Sequence, residues 1–406
     1  MMVSPRSWNL LSRAAGVVLL AGLLAPGVAA QEGAPPPGPP PAEAEAPLLP
    51  GAAEEPQAGD DPNPFFSIED IPPPRGRVPV EVHGRIDLTL LHFDDRRNVD
   101  GFPRHRVDLL SPAVSLEWNP LPRLFLRTEV EYDGLDSKVE LDQLLMRTDI
   151  PQLGGYLDVG LTYVPFGIER FYYSPPTNPL VDRPSPFRRI FPGSYSDVGL
   201  FLVASHGGKQ LEAGRREWKV KGEFAVTRGL RGPDRDDRPD DLFEENDELQ
   251  VVGRLGVEPF TGFQVGASGL IVHFDVGSTH RRLDLIGIDA TWRGDQEYIR
   301  AEMLYGTVER GVTAGGDFER DGLYIEGYRR LTLGLPWLEA VEGVVRFDSL
   351  DENSKVRDFR DVERWAFGLN VVPRPGFRVK SEIILSRERG TEIDNDGFLM
   401  QAEVHF

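Results

Sequence analysis

The sequence predicts an all-β chain, an antiparallel up-and-down transmembrane β-barrel of about 16 strands with one connection folded inward. Three observations carry this. The last stretch, Phe398 to Phe406, alternates strictly: Phe398, Met400, Ala402, Val404 and Phe406 fall on one face, and Leu399, Gln401, Glu403 and His405 on the other. Similar short alternating runs recur from Val80 onward. Their connections mostly take turns, short then long, as in barrels with tight periplasmic turns and longer outer loops. The last strand must pair with the first to close the sheet, because an open edge cannot face lipid. Phe406 at the end of the oily face is then an interfacial aromatic and an assembly signal, which makes lipid and a barrel-assembly machinery the expected partners.

The elements follow in order. Residues 1–30 read as a cleaved secretory signal. Arg6 and Arg13 give a positive start, an apolar run follows to Leu24, and Val28 and Ala30 supply small residues before Gln31. The run is too short to span a bilayer as a helix. Without Arg6 and Arg13, 43 basic residues face 65 acidic ones, a net charge of −22. An acidic chain of this kind is a poor nucleic-acid binder. There is no cysteine, so disulfides, thiolate metal sites and lipid attachment at a cysteine are excluded. Residues 31–78 form a periplasmic segment. Its Pro-rich part includes Pro35-Pro36-Pro37 and Pro39-Pro40-Pro41, and such composition cannot bury a core. The barrel is expected over residues 79–406.

Within it, Val80, Val82, Ile86, Leu88 and Leu90 alternate with Glu81, His83, Arg85, Asp87 and Thr89. Comparable runs cover Leu124 to Tyr132, Trp218 to Val226, Tyr298 to Tyr305 and Phe377 to Leu385. Short connections are expected at 119–122, 151–155, 259–262, 293–296, 333–337 and 373–376. Longer charged ones are expected at 93–107, 133–137, 165–195, 228–248, 274–281, 306–322, 348–361 and 387–396. The connection at 205–215 breaks the rule by being long where a short turn is due. An outward belt should contain Trp218, Trp292, Tyr305, Phe347, Trp365, Phe377 and Phe406.

The connection after the fifth run is the most aromatic of the long ones, with Phe166, Phe171, Tyr172, Tyr173, Phe187 and Phe191. An apolar loop needs cover, and a barrel this wide has room inside. Residues 165–193 are therefore expected to fold inward as the constriction. Arg170, Arg183, Arg188 and Arg189 are its candidate pore-lining cations; the alternative is that they pair with wall carboxylates. The inferred pore wall mixes Arg85, Arg127, Lys219, Lys221, Arg300, Arg346, Arg378 and Lys380 with Glu81, Asp87, Glu129, Glu131, Glu223, Glu302, Glu342, Asp348, Glu382 and Glu403.

Four short motifs carry a likeness: Val164-Pro165-Phe166-Gly167-Ile168-Glu169, Ser196-Asp197-Val198-Gly199-Leu200, Gly287-Ile288-Asp289-Ala290 and Ile299-Arg300-Ala301-Glu302, with Phe406. On these the chain resembles the phosphate-selective porin O and P family over residues 79–406. The resemblance implies a 16-stranded outer-membrane porin, often trimeric, whose loop after strand five narrows a water-filled channel. It implies passive uptake of small polar or charged solutes, with anions such as phosphate one option. The mixed wall departs from the Arg- and Lys-dominated lumen of phosphate-selective members, so small polar solutes of either charge stay open. A plugged barrel acting as a receptor or scaffold, or a soluble periplasmic β-protein, remain alternatives. Enzyme chemistry finds no support. Ser205 and His206 would point to opposite faces of a strand, and no His-based metal motif or phosphate loop occurs. No cofactor or metal is expected.

Overall fold

The computed structural model describes residues 80–93, 105–109, 111–133, 138–172, 176–191, 195–207, 218–230, 249–276, 279–309, 316–356, 361–390 and 395–406. The expected signal and periplasmic segments lie outside the described residues, as do the middles of several long connections.

Seventeen strand segments form one closed antiparallel sheet. They are β1 (Glu81–Phe93), β2 (His105–Leu109), β3 (Ala113–Leu121), β4 (Leu124–Asp133), β5 (Lys138–Ile150), β6 (Gly155–Tyr163), β7 (Ser196–Gly207), β8 (Lys219–Thr227), β9 (Gln250–Phe260), β10 (Phe263–Val276), β11 (Thr279–Arg293), β12 (Glu297–Val308), β13 (Phe318–Leu335), β14 (Leu338–Asp351), β15 (Val362–Arg374), β16 (Phe377–Glu388) and β17 (Gly397–His405). β2 and β3 are one stave. Leu109 pairs with Leu88 and Ala113 with Arg85, so four residues advance against three of β1. The extra residue is a bulge, placed where Pro112 cannot donate to the ladder. Seventeen segments therefore make 16 staves.

β17 closes the barrel on β1, from Arg85 opposite His405 to Phe93 opposite Gly397. Phe406 extends the ladder. Its N–H donates to the Gly84 carbonyl at 2.9 Å, and the Gly84 N–H donates back at 2.8 Å. A Cβ on Gly84 would come within 2.5 Å of the Phe406 ring, so the bare glycine is what lets that ring lie across β1.

Alternation places the two faces as the sequence reading requires. Leu200, Phe224, Leu255, Ile286, Trp365, Ile383 and Val404 are exposed outward, while Asp87, Glu223, Arg254, Glu302, Arg346 and Glu403 are buried inward. Of the expected belt, Trp218, Trp365 and Phe406 are exposed, Phe406 by 71%. Trp292, Tyr305, Phe347 and Phe377 are half-buried. Phe347 and Trp365 touch ring to ring at 5.0 Å across β14 and β15. No described helix is long and apolar enough to cross a membrane.

One expectation needs correcting. The long connection expected at 274–281 is mostly strand, because β10 and β11 stay paired out to Val276 opposite Thr279. The connection expected at 205–215 keeps its length but starts later, since β7 runs to Gly207 and β8 begins at Lys219; residues 208–217 lie outside the described residues.

Candidate constriction loop and channel site

The connection between β6 and β7 enters the barrel. It contains a short 3-10 turn at Glu169–Tyr172 and one helix, α1 (Ser185–Arg189). Five residues make little helix on their own. Its stability comes from the contacts of Pro186, Phe187 and Ile190 with the wall. Phe166, Phe187, Ile190, Phe191 and Tyr195 join Leu270, Leu283, Leu285, Leu304, Phe318, Tyr324 and Leu350 in one buried apolar cluster. Each such side chain contributes about 1.5–3 kcal/mol on burial. A second cluster packs Leu180 on Leu91, Val344, Ala366, Ile384 and Leu399.

The wall is shaped to receive the loop. Three inward positions are glycines, and each stands under an apolar loop side chain. A Cβ on Gly287 would lie 3.3 Å from Phe166, one on Gly322 2.6 Å from Pro186, and one on Gly368 2.5 Å from Leu180. The first loop turn fits equally closely. Gly167 has φ +68°, and a Cβ there would lie 2.0 Å from Oε1 of Glu302, so no other residue fits both the conformation and the space.

Wall carboxylates hold the loop backbone. Glu302 accepts the Ile168 N–H at 3.2 Å. Glu382 accepts the Val181 and Asp182 N–H groups at 2.8 and 2.7 Å, and Asp348 accepts the Ser185 N–H at 3.3 Å. Ser268 accepts the Gly167 N–H at 3.0 Å. The wall cations act in the same direction. Arg300 donates to Glu169 at 3.1 Å, Arg346 to the Asp182 carbonyl at 2.8 Å, and Arg378 to the Pro176 carbonyl at 2.7 Å. Arg364 and Arg188 both donate to the Asp182 carboxylate at 2.5 Å. Burial alone would push Asp182 up; Arg188 and Arg364 outweigh it and hold the carboxyl well below the usual range. At Glu169 burial dominates and pushes the carboxyl up against the pull of Arg300.

The motifs that carry the family likeness meet here. Phe166, Gly167 and Glu169 lie against Gly287, Arg300 and Glu302, residues more than a hundred positions away. Asp197 pins the return of the loop, accepting from the Tyr195 hydroxyl at 3.0 Å and the Gly229 N–H at 2.7 Å.

The four loop arginines separate. Arg188 is buried on Asp182, and Arg189 reaches Glu352 at 3.4 Å. Arg183 is half-buried on the loop between the two glutamate-bound N–H groups and α1. Arg170 alone among them lines the cavity left on the far side of the barrel. That cavity, about 380 Å³, is bounded by the inner faces of β3 to β8 and the loop turn at Pro165, Arg170 and Phe171. Of the eight expected wall cations, Arg127 and Lys221 line it. Arg300, Arg346 and Lys380 face inward but are fully covered, the first two by the loop they hold. Lys380 pairs with Glu403 at 2.9 Å, and Arg85 with Glu131. Lys219 is buried and Arg378 half-buried.

Sequence reasoning missed Arg147. It donates to both Asp158 oxygens, at 2.7 and 2.9 Å, and lies 3.7 Å over the Tyr156 ring. The signal was available: Gln143, Leu145 and Arg147 share one phase of β5. Across the cavity Arg170 donates to Glu223 at 2.6 Å, with Lys221 at 3.3 Å and Arg254 at 3.8 Å from the same carboxylate. Arg127 meets Glu117 at 3.2 Å and Glu129 at 2.8 Å. Among the described residues, Glu81, His83 and Glu117 bring three potential metal-ligand atoms within 4.8 Å of one another. Glu117 is already engaged by Arg127, and the other two are exposed on the rim.

No family model matches the sequence, and no curated protein matches it. Solved structures do. OmpF of Salmonella typhi, in complex with daunomycin, is 10% identical, with 80% of this chain and 97% of that one covered at a TM-score of 0.56. The outer membrane channel DcaP of Acinetobacter baumannii is 10% identical over the same shares, at a TM-score of 0.54. At such identities the likeness establishes the closed barrel fold.

Proposed function

We propose that this chain is an outer-membrane channel for passive uptake of small polar or charged solutes, and that solutes pass between the inward loop and the inner faces of β3 to β8. The observation that carries the reading is the asymmetry inside the barrel. The loop is fixed on the β10 to β16 side by paired charges and by apolar side chains seated over glycines. The charged cavity is left on the other side. A barrel built only as a receptor plug has no need to leave a polar passage. Similarity to an outer membrane channel and to OmpF supports the reading at the level of fold.

Among the cavity-lining residues, Arg127, Arg147, Arg170 and Lys221 face Glu117, Asp158 and Glu223, one positive charge in excess. We infer mild anion preference, with phosphate among the anions admitted. Export by the residue 1–30 signal, the outer membrane as location, insertion by the assembly machinery through the Phe406 strand, and trimers belong to the same reading.

Planar-bilayer recording tests it. Purified protein should give stepwise ohmic currents, with a reversal potential in a salt gradient displaced toward anions. Arg170→Ala should shift that potential toward cations by removing the excess charge. Folded, inserted protein without conductance would favour the receptor reading instead.

A further inference from the structure

The lining of the cavity is not only charged. The inner face of a water-filled barrel is ordinarily polar. Here Phe125, Leu145, Tyr156, Phe201 and Val203 fill neighbouring inward positions of β4 to β7, and the loop adds Phe171. Tyr156 stands opposite Val203, and Val203 opposite Glu223, so an apolar row runs into the charged group without a break. Guanidinium planes already lie on ring faces: Arg147 is 5.7 Å from the Phe125 ring as well as 3.7 Å from Tyr156, and Arg170 is 4.3 Å from Phe171. Lys221 lies 5.8 Å from the same Phe171 ring.

The charges are distributed unevenly along this row. At the β5 and β6 end Arg147 and Asp158 form a closed bidentate pair, neutral as a unit. At the β8 end one carboxylate, Glu223, serves Arg170 and Lys221 and is 3.8 Å from Arg254. The excess positive charge therefore sits beside Phe171 and Val203, at the margin of the apolar row. A small hydrated anion such as chloride or phosphate would use the charge and leave the half-buried Phe125 and Phe171 rings wetted. A solute with a flat ring and one carboxylate would use both. Its carboxylate would meet Arg170 and Lys221, and its ring would lie on the half-buried Phe171 ring at the edge of the apolar row. The cavity has the size range of a small-molecule site.

We propose, resting on the channel reading above, that this cavity is a selectivity site for aromatic monocarboxylates. Benzoate is the probe, compared with acetate and cyclohexanecarboxylate, which share its charge and differ in the ring. Added to a chloride-conducting channel, benzoate should reduce current at about tenfold lower concentration than acetate, the advantage of one aromatic contact and its buried area. Cyclohexanecarboxylate should fall between them. Phe171→Ala should bring the benzoate-to-acetate ratio toward one, and Lys221→Gln should weaken block by both. Phe367→Leu, on the outward face, is the control and should change neither. Benzoate binding to the detergent-solubilised protein, read by saturation-transfer NMR, gives a readout independent of current. Current that benzoate and acetate reduce alike overturns the aromatic-carboxylate site and leaves the channel. Benzoate binding that Phe171→Ala abolishes, in a protein that passes no current, overturns the channel and keeps the site. Absence of benzoate binding overturns the site whatever the conductance.

Discussion

Asp182 takes two guanidiniums on its carboxylate, from Arg188 on the loop and Arg364 on the wall, while Arg346 holds its carbonyl. Its folded-state pKa lies below the ordinary value near 3.9. A depressed carboxyl contributes stability that is fully present above the unfolded pKa and is lost as pH falls through the folded one. Glu169 has the opposite sign: burial raises it, so acid does not weaken docking through this group. The loop should therefore stay seated from neutral pH to about pH 4 and loosen only below the ordinary carboxylate range. Asp182→Asn leaves two buried arginines with one acceptor fewer and should cost about 3–5 kcal/mol of loop docking. Protease cleavage within the loop at neutral pH, absent in the parent protein, is the measurement. At Gly167 even alanine meets both positive φ and the Glu302 carboxylate. Gly167→Ala should cost about 1–3 kcal/mol and make the open-channel current noisy. These details were only half legible in sequence. Arg170, Arg183, Arg188 and Arg189 stood out as a group, but a one-dimensional pattern cannot show which of them finds Asp182, Glu352 or the cavity. The pairing with Arg364 spans 182 positions.

At the scale of elements, the strands were the most legible part. A period of two survives wherever one face meets lipid, and the charged phase of Phe377 to Leu385 or of Tyr298 to Tyr305 is the inward phase of β16 and β12. The break in the second stave was not legible, because His105 to Leu109 and Ala113 to Leu121 read as two runs until both are found beside β1. The 274–281 connection misled for a related reason: a paired strand end that carries Asp275, His280 and Arg281 reads as a charged loop. The closing strand supports a direct prediction. Deleting Phe406 removes two backbone bonds to Gly84 and the ring that covers it. The variant should fail to accumulate in the outer membrane and be degraded, as membrane fractionation will show. A Gly84→Val variant should fail in the same way, since its side chain would occupy the place of the Phe406 ring.

For the whole molecule, the inward loop was foreseeable from its aromatics, but the side of the barrel it takes was not. That side is decided by Gly287, Gly322 and Gly368, which make room, and by Glu302, Asp348 and Glu382, which accept its N–H groups. Each residue is unremarkable in its own strand, and only the closed sheet sets all six in one concave surface. Ions should then pass along the inner faces of β3 to β8. The chain has no cysteine, so single cysteines can be introduced one at a time without background. Thr162 lines the cavity, and Ala366 is buried beneath Leu180 on the opposite wall. The decisive measurement is single-channel current before and after a charged, membrane-impermeant thiol reagent. Thr162→Cys should lose a large part of its current on modification, and Ala366→Cys should show no change. Block at residue 366 with none at 162 would place the passage along the wall the loop is said to cover, and would contradict the account.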